Sequence, residues 1–431
     1  MIYNKKIEIP VKETVMSALT RSIPACPCGK PHICPISAVE IGEGALSSIP
    51  ALCAGFTRIL LVADENTYAA CGREVEGLLS RLVASRHIFE GEGVVIPDEA
   101  SVEAMEGKLT PDTDLIVGVG SGVINDLCKF VGHKHHLPYI IVATAPSMDG
   151  YASAGAAMIL GGMKVTPSAT PPMAIVADTA VLKNAPMDMI RAGYGDIIGK
   201  FSCLNDWKLA AYIRGEYFCQ TVYDLVMNTA RRVKDLAEGI SNRDGEAITA
   251  LMEALVEVGV AMAYVGNSRP ASGSEHHLSH FFEITGILNS TPYLPHGTDV
   301  AYSSVLTARL RGEILSREPA RVGFDRAAYE TAIRKAYTSI ADSVIAQQDR
   351  LGWYHEDEVD VFVLTHTEGI RAILAEAPTE AEAREMVEAV GLSMDELYDT
   401  YGEAHIEEAL RWAKDLKDRY SVLWVHNLYY M

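Results

Sequence analysis

The sequence predicts an α/β N-terminal domain of Rossmann-like type, residues 1–185, followed by an all-α C-terminal domain, residues 186–431. Two observations carry this expectation. Residues 37–180 alternate short aliphatic, β-branched runs with helical patterns, as a mostly parallel sheet with crossover helices does. After Pro186, nearly every segment up to Arg419 carries apolar residues at helical spacing. A chain of 431 residues also exceeds what one compact core usually accommodates.

Strands are expected over residues 38–41, 58–63, 114–117, 139–142 and 173–176. Residues 157–165 read as a hairpin around Gly161-Gly162, and the proline-rich stretch 166–172 as a loop lying over the sheet edge. Helices are expected over residues 245–265, 300–315, 326–347, 358–375 and 393–417. The aromatic tail, residues 420–431, is too apolar to stand in water, so it is expected to pack on the helical domain or on a second subunit.

Composition narrows the function classes. Hydrophobic residues at 48% and charged residues at 22% fit a globular chain, and 37 basic against 57 acidic side chains leave a net charge of −20. Such a charge opposes non-specific contact with nucleic acid or anionic membrane and favours a small-molecule partner. The polar N-terminus and the lack of about 18 uninterrupted apolar residues argue against export and membrane insertion, and a cytoplasmic location is expected. Cys53, Cys71, Cys128, Cys203 and Cys219 lie scattered in apolar or helical contexts, as reduced core thiols do. Cys26-Pro-Cys-Gly-Lys-Pro-His-Ile-Cys34 differs, bringing three thiols and the His32 imidazole into one short segment. Cys26, Cys28, His32 and Cys34 read either as a small metal knuckle or as reduced, turn-forming cysteines. Zinc ligand pairs are usually spaced more widely, which favours the second reading.

The strand at 114–117 runs into Gly118-Val-Gly-Ser-Gly-Val-Ile-Asn-Asp126, and a helical pattern follows. Glycines at the C-terminal edge of a parallel strand let the backbone approach a pyrophosphate, whose charge the next helix's N–H groups meet. The usual dinucleotide fingerprint has Gly where this chain has Val123, so the loop is a variant, and a plain tight turn is the alternative. Thr144-Ala-Pro-Ser-Met-Asp-Gly-Tyr-Ala-Ser153 brings hydroxyls and a carboxylate to the same sheet edge. Asp64, closing an earlier strand, reads either as an acceptor for a ribose hydroxyl or as a helix N-cap.

Three clusters on the helical side point to a metal. Asp196 and Lys200 share a helix face four residues apart, as do His276 and His280, and His296 follows in Pro295-His-Gly297 at an expected helix start. A carboxylate with two imidazoles suits a catalytic first-row metal with an open position. Each cluster alone could be a surface or core pair.

With these motifs assembled, the chain resembles the iron-containing (group III) alcohol dehydrogenase superfamily, of dehydroquinate synthase-like fold. Within it, the chain looks most like the glycerol-1-phosphate dehydrogenase family. The resemblance rests on Gly118-x-Gly-Ser-Gly-x-x-x-Asp126, the 144–153 segment, Gly195-Asp-x-x-Gly-Lys200, Ser272-Gly-Ser-Glu-His-x-x-Ser-His280 and His296-Gly297, spanning roughly residues 37–307. It implies metal ligation by Asp196, His276 and His296, with Zn, Ni or Fe all compatible. It implies NAD(H) or NADP(H) contacts from Gly120, Ser121, Gly122, Val123, Ile124, Thr144, Ser147 and Ser153. His280 and Asp149 are implied as catalytic and substrate-binding groups, beside Asp196. The implied reaction is reversible hydride transfer between NAD(P)H and dihydroxyacetone phosphate, giving sn-glycerol 1-phosphate, by a homo-oligomer, most simply a dimer. Lys200 and Arg269 are candidates for the substrate phosphate on position alone, each with an ordinary ion pair as its alternative. Rival readings are a polyol dehydrogenase of the same superfamily, a dehydroquinate synthase-like lyase and a non-catalytic dinucleotide-binding protein.

Overall fold

The computed structural model describes residues 19–91, 95–161, 163–319 and 323–430. The first segment of the chain and Gly162 of the expected hairpin turn lie outside the described residues. Six strands form one sheet: β1 (Ala38–Gly42), β2 (Ile59–Asp64), β3 (Val83–Phe89), β4 (Leu115–Gly120), β5 (Tyr139–Ala143) and, after the hairpin described next, β8 (Ala174–Asp178). Their order is β1-β8-β5-β4-β2-β3, and every neighbouring pair is parallel. β6 (Met158–Leu160) and β7 (Met163–Val165) pair antiparallel as the expected hairpin.

The central strands are continuous apolar runs because both faces of the sheet are covered. Leu60, Val62, Ile116, Ile141 and Ile175 feed one apolar layer, which continues unbroken into the helical half. Leu61, Val117, Ile140, Val142 and Val176 feed the other. β3 is an addition to the expected set. It lies at the sheet edge, where only one neighbour is paired, and its half-exposed Ser85-Arg86-His87 stretch lacks the apolar signal of its neighbours.

One crossover helix, α1 (Gly122–His135), follows β4. The helical half then contains α2 (Met187–Ile198), α3 (Lys200–Arg214), α4 (Gln220–Asp235), α5 (Gly245–Val265), α6 (Ser274–Asn289) and α7 (His296–Ser316). Three helices expected to be long are broken. Residues 326–347 divide at Thr338, with φ 42°, residues 358–375 at His366, and residues 393–417 at Gly402, with φ 73°. At Thr338 and Gly402 a positive-φ residue ends the helix without disturbing the apolar period on either side, which is why periodicity alone ran through those two breaks. The C-terminal helix, Val422–Tyr430, packs on its own chain: Tyr420, Trp424 and Leu428 are buried with Leu209, Ile213 and Ile314.

α5 is long and apolar enough to cross a membrane by length and composition, yet 61% of its apolar window is buried inside the protein. It is a core helix. At Gly259 an added Cβ would lie 2.8 Å from the Asp149 carbonyl oxygen, so α5 presses directly on the loop after β5.

The N-terminal cysteine segment takes a form that local spacing did not give. Ile23 and His32 exchange backbone hydrogen bonds of 2.7 and 2.9 Å, and Gly29, at φ 84°, closes a turn back to the Cys26 carbonyl. Cys34 is turned away, its thiol facing the carbonyls of Leu19 and Ile36. Cys219, expected to be an isolated core thiol, instead joins Cys26, Cys28 and His32. It lies 187 positions from His32, so only the fold could bring the two together.

The backbones of α2 and α7 touch. A Cβ on Gly297 would lie 1.9 Å from the Ala192 carbonyl oxygen, and one on Gly195 would lie 2.3 Å from the Gly297 carbonyl oxygen. This approach brings the two helices' functional ends together. Gly297→Ala is therefore expected to destabilise the protein by about 3 kcal/mol through forced separation of the helices, read as a lower urea midpoint. An unchanged midpoint would contradict the close-packing account.

A candidate metal and dinucleotide site

In the sheet, β2 and β4 are neighbours whose following strands lie on opposite sides, β3 beyond β2 and β5 beyond β4. Open α/β sheets bind ligands in the crevice at such a reversal, outside the strands' C-terminal ends. β4 continues to Gly120, three residues past its expected end, and α1 begins at Gly122. A side chain at Gly120 would place its Cβ 2.6 Å from Ile124, so glycine permits the tight strand-to-helix turn. Ser121 stands at the N-cap with no side-chain bond to the helix, and no acidic residue occupies the first turn. The N–H groups of Gly122, Val123 and Ile124 therefore face the crevice free of a competing carboxylate, as a pyrophosphate requires.

The flanking residues divide. The Thr144 N–H donates to the Gly120 carbonyl at 3.1 Å, fixing the end of β5 beside the turn, and Ser147 follows in the same loop. Ser153 is engaged locally: its hydroxyl accepts from Lys129 at 3.1 Å and lies 3.0 Å from the carbonyls of Gly150 and Gly155. Asp64 closes β2 but caps a helix, with Oδ1 accepting the Thr67 N–H at 2.8 Å in a reciprocal capping box. Of its two readings, the helix N-cap is the one its hydrogen bonds support.

Asp196 near the end of α2, His276 in the first turn of α6 and His296 at the start of α7 converge. One ligand atom from each lies within 4.8 Å of the others. His276 Nε2 is 3.6 Å from Asp196 Oδ1, and its Nδ1 is 2.7 Å from Glu275 Oε1. Glu275 is fully buried and also accepts the Gly273 N–H, so it fixes the imidazole that faces Asp196. His296 Nδ1 lies 3.2 Å from Ser279 Oγ, which leaves Nε2 for the cluster. Burial would raise the Asp196 carboxyl, but Lys200, His276 and His296 outweigh it and hold the group well below its usual range. Burial, and then His276, push His296 down to about 4, so its imidazole is neutral at neutral pH. An ionised carboxylate and an unprotonated imidazole are the forms that bind a metal, and the donor set fits a divalent ion.

His280 lies one turn beyond His276, its ring stacked on His296 at 5.4 Å between centroids. Burial, then Lys417 and His296, lower it well below the usual histidine range, so it is neutral. Asp149 also reaches the cluster: its N–H donates to Asp196 Oδ2 at 2.9 Å. Burial and the Asp196 charge raise its carboxyl.

Both phosphate candidates make the ion pairs that were their alternative reading. Lys200 is fully buried, 2.7 Å from both Asp149 Oδ2 and Asp196 Oδ1, and donates to the Ala271 carbonyl at 2.9 Å. Its three donors are occupied. Arg269 is clamped by Glu216 through Nε and Nη2 and donates from Nη1 to the Tyr420 carbonyl at 2.9 Å. Both cations are engaged within the protein.

Three groups were missed by sequence reading. Lys129, fully buried on α1, donates to the carbonyls of Gly150 and Gly155 and so ties down the loop that carries Asp149. The spacing of Asp126 and Lys129 offered only an ordinary helical pair. Asp206 accepts the Ser274 N–H at 2.7 Å and the Val422 N–H at 2.9 Å, holding the start of α6 and the C-terminal helix together. Lys417, which no local motif marks, acts on His280 more strongly than any other charge. Its ammonium has no hydrogen-bond or ion-pair partner among the described residues. Burial, Arg419 and Lys164 lower it to about 8.

Comparison with known proteins gives the class first. The family model described as iron-containing alcohol dehydrogenase matches residues 40–186. The fold is shared with solved structures of low identity. Sulfoacetaldehyde reductase from Bifidobacterium kashiwanohense, in complex with NAD+, aligns with a TM-score of 0.60 at 13% identity, covering 92% of this chain and 97% of that one. The iron-containing alcohol dehydrogenase from Thermococcus thioreducens aligns at 0.55 and 16% identity, covering 87% and 89%. Among these dehydrogenases, the chain belongs to the glycerol-1-phosphate dehydrogenase family. It is 32% identical over 336 residues to the glycerol-1-phosphate dehydrogenase [NAD(P)+] of Bacillus licheniformis, covering 76% of this chain and 82% of the relative. It is 33% identical over 281 residues to that of Pyrococcus furiosus, covering 64% and 78%.

Asp196→Asn and His296→Ala are expected to lose the divalent metal found in the wild type while retaining NAD(P)H binding, because the dinucleotide crevice lies on the sheet half. Elemental analysis and nicotinamide fluorescence titration check this. Wild-type metal content in both variants would remove these residues from the ligand set.

Proposed function

We propose that the protein is a metal-dependent sn-glycerol-1-phosphate dehydrogenase, transferring hydride between NAD(H) or NADP(H) and dihydroxyacetone phosphate in the cytoplasm. Among the described residues, the observation that carries the reading is the convergence of Asp196, His276 and His296 with the neutral His280 beside them, in a chain of this family. The division into a dinucleotide half and a metal half near residue 185 is part of the proposal. Its support is that the last strand ends at Asp178 and the elements beyond Met187 are helical.

A ketone accepts hydride poorly until its oxygen is polarised, and a divalent ion held by Asp196, His276 and His296 supplies that Lewis acidity. The glycine turn from Gly120 to Ile124 anchors the pyrophosphate and so fixes how far the nicotinamide reaches into the cleft. Hydride adds to the carbonyl carbon, the carbonyl π pair moves to oxygen, and that oxygen takes a proton. His280, neutral, presents one N–H and one bare nitrogen, and can pass a proton to the substrate oxygen while receiving one from solvent. The Asp149 carboxyl, kept from ionising readily by burial, orients a substrate hydroxyl. Lys417 replaces Lys200 and Arg269 as the cation we assign to the substrate phosphate, with Arg419 and Lys164 adding to the local positive charge.

Metal-stripped protein is expected to oxidise NAD(P)H only when a divalent ion and dihydroxyacetone phosphate are both restored, with little turnover of dihydroxyacetone. Equal turnover of the unphosphorylated ketone would transfer the assignment to a polyol dehydrogenase.

Lys417→Ala is expected to raise KM for dihydroxyacetone phosphate by roughly 10- to 100-fold, the loss of one charge-assisted hydrogen bond, with kcat less affected. In the wild type, KM should rise as pH passes about 8 and Lys417 loses its proton. A flat KM profile, or an unchanged KM in the variant, would remove Lys417 from the phosphate site.

A further inference from the structure

Cys26, Cys28, His32 and Cys219 form a second cluster, and the reaction proposed above makes no use of it. Cys26 Sγ is 3.6 Å from Cys219 Sγ, Cys28 Sγ is 3.4 Å from His32 Nε2, and Cys219 Sγ is 3.3 Å from His32 Nε2. A tetrahedral zinc ion with bonds of about 2.3 Å to sulfur and about 2.05 Å to nitrogen has S–S edges of about 3.8 Å and S–N edges of about 3.6 Å. The observed separations are those edges to within about 0.3 Å. All eight cysteines are free thiols, so no disulfide competes for these sulfurs.

We propose that Cys26, Cys28, His32 and Cys219 bind a structural Zn(II) ion that pins residues 19–36 to the N-terminus of α4. Four protein ligands close the coordination shell and leave no position for substrate, the arrangement of structural rather than catalytic zinc. The surrounding groups suit it. His32 Nδ1 lies 2.9 Å from the Tyr264 carbonyl, so Nδ1 carries the proton and Nε2 offers its lone pair to the cluster. The Thr221 hydroxyl lies 3.4 Å from Cys26 Sγ and the Tyr217 hydroxyl 3.2 Å from Cys28 Sγ, both able to donate to thiolate sulfur. Cys219 stands at the N-cap of α4, where the helix dipole favours a thiolate. Binding releases three thiol protons, and the resulting site carries one net negative charge. Lys30, its ammonium 3.7 Å above the Tyr217 ring, stands close by to offset it. His32 and Cys219 are fully buried and Cys26 nearly so, while Cys28 is half-buried at the edge of the cluster.

The test separates this ion from the one at Asp196 by ligand chemistry. Protein reconstituted with Co(II) should show thiolate-to-cobalt charge-transfer absorption, which nitrogen and oxygen ligands cannot give. Cys219→Ser and Cys28→Ser should each lose that absorption and one equivalent of zinc per chain. Asp196→Asn should keep the absorption while losing the other equivalent. In the native wild type, Cys26, Cys28 and Cys219 should resist thiol labelling until a chelator removes the metal, a readout that needs no variant to fold. Cobalt protein without charge transfer, or thiols that label equally with and without chelator, would overturn the proposal.

Discussion

A fully buried lysine between two buried carboxylates organises the site. Lys200 lies 2.7 Å from Asp149, on the loop after β5, and equally close to Asp196, at the end of α2. Burying a charge is costly unless it is paired and hydrogen-bonded, as Lys200 and Asp196 are to each other at 2.7 Å. The pairing with Asp149 spans the two halves of the chain, and the Asp149 N–H adds a bond to Asp196 Oδ2. Removing Lys200 would leave the two carboxylates facing each other without their shared cation, so the sheet-edge loop and the end of α2 are held in one register by it. Lys129 secures the same loop from α1, and Gly259 on α5 lets a helix close over it.

That lock orients the candidate donor set. Asp196 is fixed through both oxygens, His276 through Glu275, and His296 through Ser279. Each candidate ligand thus has a hydrogen-bonding neighbour on a helix, Lys200, Glu275 or Ser279, and Asp196 has a second in the loop after β5, which is how a precise site is built. The glycine contacts between α2 and α7 set how near Asp196 and His296 can come. Function therefore depends on residues that never touch substrate.

Much of this was legible in the sequence. The strands with two buried faces announced themselves as apolar runs, and the clusters containing Asp196, His276 and His296 that the sequence singled out are those the fold brings together. What escaped was what only the fold brings together. β3 is an edge strand with polar residues, so its pattern is weak. The Asp196–Lys200 pair was visible at helical spacing, but the second partner of Lys200, Asp149, and the partner of Arg269, Glu216, lie 51 and 53 positions away, where no local pattern marks them. Cys219 reaches the N-terminal cysteines across 193 positions, and no local spacing announces that. Conversely, Cys34 sits at ligand-like spacing and faces away.

The most direct test of a preformed site is a crystal structure of the metal-loaded protein with anomalous scattering recorded at the metal's absorption edge. The account predicts an anomalous peak bonded to Asp196 and to Nε2 of both His276 and His296, with Lys200 still paired to Asp149. A peak at other ligands in the helical half, or a Lys200 released from its carboxylates when the ion binds, would contradict it.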